Sequence, residues 1–191
     1  AHVDELEAYY RGERRRRDHT GVAPLSVRWR GDHSSTESLA GVNRSVCDRL
    51  ARMDGIALER ISRKGAGGGP ALPLPAHVEI RHQFPPDLRP PASGRLAVIQ
   101  PWEFGAIPAD WVEPIERNVD ELWVPSEFVR RMYADSGIDA ERVHVVPNGV
   151  DLDRFTPDGP CLDLDAPGVR LLFVGGLIRR KGPDVLLEAY R

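Results

Sequence analysis

Apolar residues along this 191-residue chain recur in two rhythms, and the alternation between them lays out the fold. Residues 25–29 (LSVRW) alternate as a half-buried strand, residues 31–36 form a polar loop, and Leu39, Val42, Val46 and Leu50 then recur at helical spacing. Residues 56–61 form a second strand, and residues 63–75 are a Gly/Pro-rich loop that no regular element would tolerate. Residues 78–81 and 96–99 are two more strands, and Trp111, Ile115 and Val119 lie at matching turns of a helix. Residues 122–124 end a strand, after which Ser126 caps a helix with Phe128, Val129, Met132 and Tyr133 on one face. Gly137 stands where a helix C-terminus favours a left-handed residue. Residues 143–146 are a further buried strand, leaving through the turn Pro147-Asn148-Gly149. After a spacer, residues 169–174 (VRLLFV) read as a strand, Gly175-Gly176 breaks it, and residues 183–190 return to helical spacing.

Alternating β and α elements predict an α/β fold with a doubly wound parallel sheet, in which ligands gather at the carboxyl ends of the strands. By that rule the loops 31–36, 82–86 and 100–105 share one rim. They carry His33, His82 and Glu103, groups able to bind hydroxyls or assist proton transfer, and Trp102, whose ring offers a stacking face. The plainer alternative for each is structural: a lone histidine is more often a core residue, and Trp102 beside Pro101 can belong to the core.

The run 169–190 has the makings of a phosphate cradle. Gly175 and Gly176 let the backbone approach an anion, the helix that follows directs N–H groups and a positive dipole end to the same place, and Arg179, Arg180 and Lys181 add full charges. Neither GxxxxGK[ST] nor GxGxxG is present, so an ordinary strand-to-helix turn with solvated cations is the competing reading. Of the 26 basic residues only Lys64 and Lys181 are lysine. A compact ammonium and a planar guanidinium are not equivalent against a diphosphate, which singles out Lys181.

Three segments in order, VPSEFVRRMY, RVHVVPNGVDLDRFTP and FVGGLIRRKGPDVLLEAY, closely resemble the central portion of retaining family 4 glycosyltransferases of the GT-B fold. WRGDHSSTESLAGVNR and RHQFPPDLRPPASGRLAVIQPWEFGAIPADW resemble the N-terminal domain of a bacterial subset. The resemblance implies two Rossmann-like domains, with the acceptor on the first, a UDP- or GDP-sugar donor on the second, and reaction in the cleft between them. On that template residues 1–22 are a linker or the end of a preceding segment, and 23–147 the acceptor-side domain. Residues 148–168 are then an inter-domain linker, with Pro147, Asn148 and Gly149 as hinge, and 169–191 the truncated start of the donor domain. The chain reads as a fragment of a longer polypeptide.

The same resemblance implies that Gly175, Gly176, Arg179, Arg180 and Lys181 face the donor phosphates. Family members usually carry an arginine where this chain has Gly176, so Arg179 or Arg180 is left to supply that charge, and Lys181 matches the family lysine. Retaining transfer of this kind needs no protein nucleophile, only stabilisation of charge on the departing nucleoside diphosphate. Relatives often hold a histidine where this chain has Gln100, Pro101, Trp102 and Glu103.

Bulk properties narrow the alternatives. A net charge of −3, 41% hydrophobic residues and a mean hydropathy of −0.38 describe a globular chain, expected in the cytoplasm, with no apolar run long enough for a membrane span. A lipid-linked rather than a soluble glycan acceptor would bring peripheral membrane association with it. The basic run of Arg11 and Arg14 to Arg17 has Asp4, Glu5, Glu7 and Glu13 beside it and lacks interleaved aromatics, which argues against nucleic acid as a partner. Cys47 and Cys161 follow no metal spacing, and no metal or other cofactor is expected. Two rivals stand beside the transferase: a non-catalytic glycan-binding or assembly module, favoured by Gly176, and a different GT-B enzyme acting on a sugar-phosphate bond.

Overall fold

A computed structural model describes residues 23–62, 70–72, 75–160 and 168–190. The expected linker 1–22 with its arginine run, most of the loop 63–75, Cys161 and the middle of the spacer lie outside the described residues. Packing divides the chain into two compact units, one running to Gly149 and the other Val150–Arg191. That division falls inside the Pro/Gly turn after the last strand of the first unit.

The first unit alternates as the hydrophobic rhythm requires. Its elements are β1 (Leu25–Gly31), α1 (Ser38–Leu50), β2 (Ile56–Ser62), β3 (Val78–His82), β4 (Arg95–Ile99), α2 (Ala109–Asn118), β5 (Glu121–Val124), α3 (Glu127–Asp135) and β6 (Val143–Val145). The six strands form one sheet in the order β2-β1-β3-β4-β5-β6, and every pairing is parallel. This is a single Rossmann-like parallel sheet. All its carboxyl ends lie along one edge, and the strand order reverses between β1 and β3, the place where such folds bind ligands.

Apolar clusters pack on both faces of the sheet, and β4 and β5 are correspondingly apolar over Leu96–Ile99 and Leu122–Val124, whereas β1 and β3 alternate with charged residues. Val27, Trp29, Ile80 and Ala97 pack with Cys47 of α1 on one face. Leu96, Val98, Leu122 and Val124 pack with Ile115 and Val119 of the α2 segment and with Val129, Met132 and Tyr133 of α3 on the other. Alternate residues of β4 divide between the two clusters, as period-two geometry demands. Burial pushes the Cys47 thiol up to about 12, so it behaves as a small apolar side chain.

Two helix faces differ from the pattern expected of them. In α1 the fully buried positions are Ala40, Asn43 and Cys47, while Val46 is exposed and Leu39, Val42 and Leu50 are half-buried. Small residues let α1 sit close against the sheet, and Asn43 is tolerated there because all its hydrogen-bonding capacity is used. In α3 Val129, Met132 and Tyr133 are buried, but Phe128 is 59% exposed. Ser126 accepts from the Val129 amide at its start. At its end Gly137 has φ 97°, with Gly137 N–H donating to Ala134 O at 3.0 Å and Ile138 N–H to Tyr133 O at 3.1 Å.

In the second unit the described residues 168–190 form a 3-10 turn, Arg179–Lys181, and one helix, α4 (Pro183–Tyr190). No strand forms over residues 169–174, contrary to the sequence expectation. A parallel strand is defined by its ladder to a neighbouring strand, and residues 169–174 join no sheet among the described residues. A second Rossmann-like domain is therefore not seen in the described residues.

Candidate functional site

The loop after β1 is shaped by its own side chains. Asp32 Oδ1 accepts from the Ser34 amide at 2.8 Å, the Ser34 hydroxyl at 2.9 Å and the Ser35 amide at 3.3 Å. These donors hold the Asp32 carboxyl well below the usual carboxylate range. Arg44 of α1 then donates to His33 O at 3.1 Å and Ser35 O at 2.7 Å, fastening the loop to the helix. The His33 ring, whose two nitrogens are buried without a partner among the described residues, has its pKa lowered by desolvation and by Arg60.

His82 is the last residue of β3 and lies directly opposite Gly31, the last residue of β1. It is 3% exposed, and burial pushes its pKa down to about 4, so the ring is neutral around pH 7. Its Nδ1 is 2.8 Å from Asn43 Oδ1, which also accepts from Trp29 Nε1 at 2.9 Å. Asn43 Nδ2 donates to Asp32 O at 2.9 Å and to His82 O at 3.2 Å. A side chain at Gly31 would collide with Asn43 Nδ2 and come within 2.6 Å of His82 O, so glycine is required for this approach.

The loop after β3 is anchored by a buried ion cluster. Glu79, with no exposure, accepts from Arg30 Nε at 2.9 Å and Arg81 Nε at 2.7 Å. Arg81 also donates to Asp87 O at 2.8 Å and Arg89 O at 2.6 Å. Arg89 beside Asp87 holds that carboxyl down at about 2.

Beyond β4, Gln100 is 3% exposed, its Oε1 has no partner among the described residues, and its Nε2 donates to Pro101 O at 3.2 Å. Trp102 is half-buried, meets Phe104 and Trp111 edge-on at 5.2 and 5.0 Å, and donates its Nε1–H to Ala106 O at 2.8 Å. That indole N–H is thus engaged within its own loop. Glu103 is exposed.

His82 at the end of β3, His33 on the loop after β1, and Trp102 and Glu103 on the loop after β4 therefore lie on one edge of the sheet. The network that joins two of these loops is centred on Asn43, which the sequence reading did not single out. Its signal was a polar residue on the Ala40-Asn43-Cys47 stripe, where helical spacing otherwise places small apolar side chains.

In the second unit Gly175, Gly176, Arg179, Arg180 and Lys181 are all exposed. Lys181 lies in the 3-10 turn rather than in the following helix, and Gly182, at φ 63°, turns the chain into α4. A side chain at Gly176 would meet nothing within 4 Å among the described residues. Pro147, Asn148 and Gly149 follow β6 as exposed, irregular backbone. Among the described residues there is no cluster of three or more metal-ligating side chains, and no helix is long and apolar enough to cross a membrane.

The parallel sheet with helices on both faces is a single Rossmann-like domain, consistent with the N-terminal half of a GT-B enzyme. Residues 82–154, from the end of β3 through β6 and the Pro/Gly turn, match the model of Glycosyltransferase Family 4. The chain thus carries glycosyltransferase family 4 homology over part of its parallel-sheet domain. It is 42% identical over 77 residues to a D-inositol 3-phosphate glycosyltransferase of Xylanimonas cellulosilytica, covering 34% of this chain and 17% of that protein. Against the protein of the same name from Geodermatophilus obscurus it is 46% identical over 83 residues, covering 40% of this chain and 18% of the relative. The chain thus matches less than a fifth of the length of these curated relatives. No solved structure matches it significantly.

Proposed function

We propose that this chain is the acceptor-side part of a retaining glycosyltransferase that moves a sugar from a UDP- or GDP-sugar to a hydroxyl of a glycan, a lipid-linked glycan or a phosphorylated polyol. The observation that carries this reading is the family match over residues 82–154, which begins at His82, on the strand reversal. The D-inositol 3-phosphate named for its relatives makes that compound the first acceptor to try. In this reading the acceptor lies along the rim of His33, His82, Trp102 and Glu103. The donor diphosphate lies against Gly175, Gly176 and Lys181, with Arg179 or Arg180 supplying the charge absent at Gly176.

Bond cleavage in such a transfer leaves negative charge on the nucleoside diphosphate, and a lysine ammonium with backbone N–H groups stabilises it. Lys181→Ala in the complete protein is expected to weaken UDP or GDP binding, or turnover, by about 1.5–3 kcal/mol, with Lys181→Arg restoring only part. Titration calorimetry with each nucleotide, paired with transfer kinetics, measures both. Unchanged affinity and turnover in Lys181→Ala would reduce the cradle to a turn and favour the binding-module reading that Gly176 suggests.

A further inference from the structure

Asn43 settles the chemistry of the histidine at the strand reversal. The indole Nε1–H of Trp29 is only a donor, so the Asn43 atom 2.9 Å from it is the amide oxygen. The two atoms facing Asn43 Nδ2, Asp32 O and His82 O, are only acceptors, so the amide cannot be turned over. Every donor and acceptor of this buried side chain is then assigned. Oδ1 is an acceptor, and the His82 Nδ1 at 2.8 Å from it must carry the proton. The remaining ring nitrogen, Nε2, then holds the lone pair and is an acceptor. Gly31 permits the arrangement, since any side chain there would drive Asn43 away from His82 O.

Resting on the glycosyltransferase reading above, we propose that Asn43 is a positioning residue. It fixes His82 in its Nδ1–H form so that Nε2 accepts a hydrogen bond from the attacking hydroxyl of the acceptor. Three features meet at this point: the carboxyl ends of β1 and β3, the reversal of strand order, and a neutral imidazole whose orientation is imposed from α1. The low pKa of His82 is in keeping with a ring that stays neutral and retains its lone pair. Asn43 itself, fully buried and with all its groups engaged, does not touch the substrate.

The test uses ¹⁵N-labelled full-length protein with D-inositol 3-phosphate as the probe. Long-range ¹H–¹⁵N spectra are expected to show His82 protonated at Nδ1, and addition of the probe to shift Nε2 while Nδ1 stays in place. A wild-type ring protonated at Nε2, or an Nε2 resonance that ignores saturating probe, overturns the proposal. Asn43→Ala is expected to release the ring into a mixture of both tautomers and to weaken probe binding at least tenfold. Should that variant fail to fold, His82→Asn serves in its place, because its amide can still donate to Asn43 Oδ1 while removing Nε2. His82→Asn is expected to keep the thermal midpoint and the nucleotide affinity of the wild type but lose at least tenfold in probe affinity. Unaltered probe affinity in His82→Asn overturns the role of Nε2. Failure of the wild-type protein to transfer sugar from any UDP- or GDP-sugar would instead sink the glycosyltransferase reading, whichever tautomer the spectra show.

Discussion

At the scale of single residues, burial without charge compensation separates His82 from the other titratable groups of the rim. Desolvation lowers its pKa from 6.5 to about 4, whereas the aspartates Asp32 and Asp87 are lowered by hydrogen bonds from their neighbours. Because the folded ring binds its proton more weakly than the unfolded chain does, the unfolded state takes up more protons between pH 6.5 and 4, and acidification favours unfolding there. Desolvation acts in the same direction on His33. The aspartates contribute stability that is present above their ordinary pKa and is lost only at lower pH, as it falls towards 2. Stability measured by urea unfolding should therefore decline from pH 6.5 to 4. His82→Asn should flatten that decline by at most about 1.4 kcal/mol per pH unit. A wild-type profile level across this range would contradict the buried, neutral state of the ring.

At the scale of elements, what the sequence revealed was periodicity, and what it concealed was the depth at which each helix sits. The strands of the first unit lie within a residue or two of their expected bounds because β-rich apolar runs between Gly, Pro and polar loops have few other outcomes. The rim positions of His33, His82, Trp102 and Glu103 were readable for the same reason, since a parallel sheet places every strand's carboxyl end on one edge. The order of the strands was not readable, and with it the facing of Gly31 and His82, because sequence spacing does not say which strands are neighbours. The buried face of α1 departs from the apolar spacing for a related reason. Leu39, Val42, Val46 and Leu50 fit helical spacing, but Gly31 draws the helix in close, and the small residues Ala40 and Cys47 with Asn43 occupy the deepest positions. Helix α3 offers a measurable contrast between what is local and what is packed. Ser126→Ala removes the cap on the Val129 amide and should cost about 1 kcal/mol. Phe128→Ala, next but one along the chain, should alter stability by less than about 0.5 kcal/mol because its ring is exposed. Chemical denaturation of the two variants checks both; a larger loss from Phe128 would place its ring in a packed contact.

At the scale of the whole molecule, the two units differ in how their backbone hydrogen bonds are satisfied. In the first, β6 is bonded to β5 from Val143 to Val145, and Val146 N–H continues the ladder to Val124 O at 2.8 Å. In the second, the apolar run 169–174 meets no partner strand among the described residues, and Val169, Leu172 and Val174 are more than three-quarters exposed. A run this apolar is unusual in a solvated position, and the same six residues would suit the interior of a parallel sheet if neighbouring strands were supplied. Amide protection follows ladder bonding and burial, so exchange should be slow at Val143 and Val145 and approach the unprotected rate at Leu171, Leu172 and Val174. Hydrogen–deuterium exchange on residues 1–191, resolved to single amides by NMR, reads this directly. Equal protection at the two sites would mean that residues 169–174 have found a strand partner and joined a sheet.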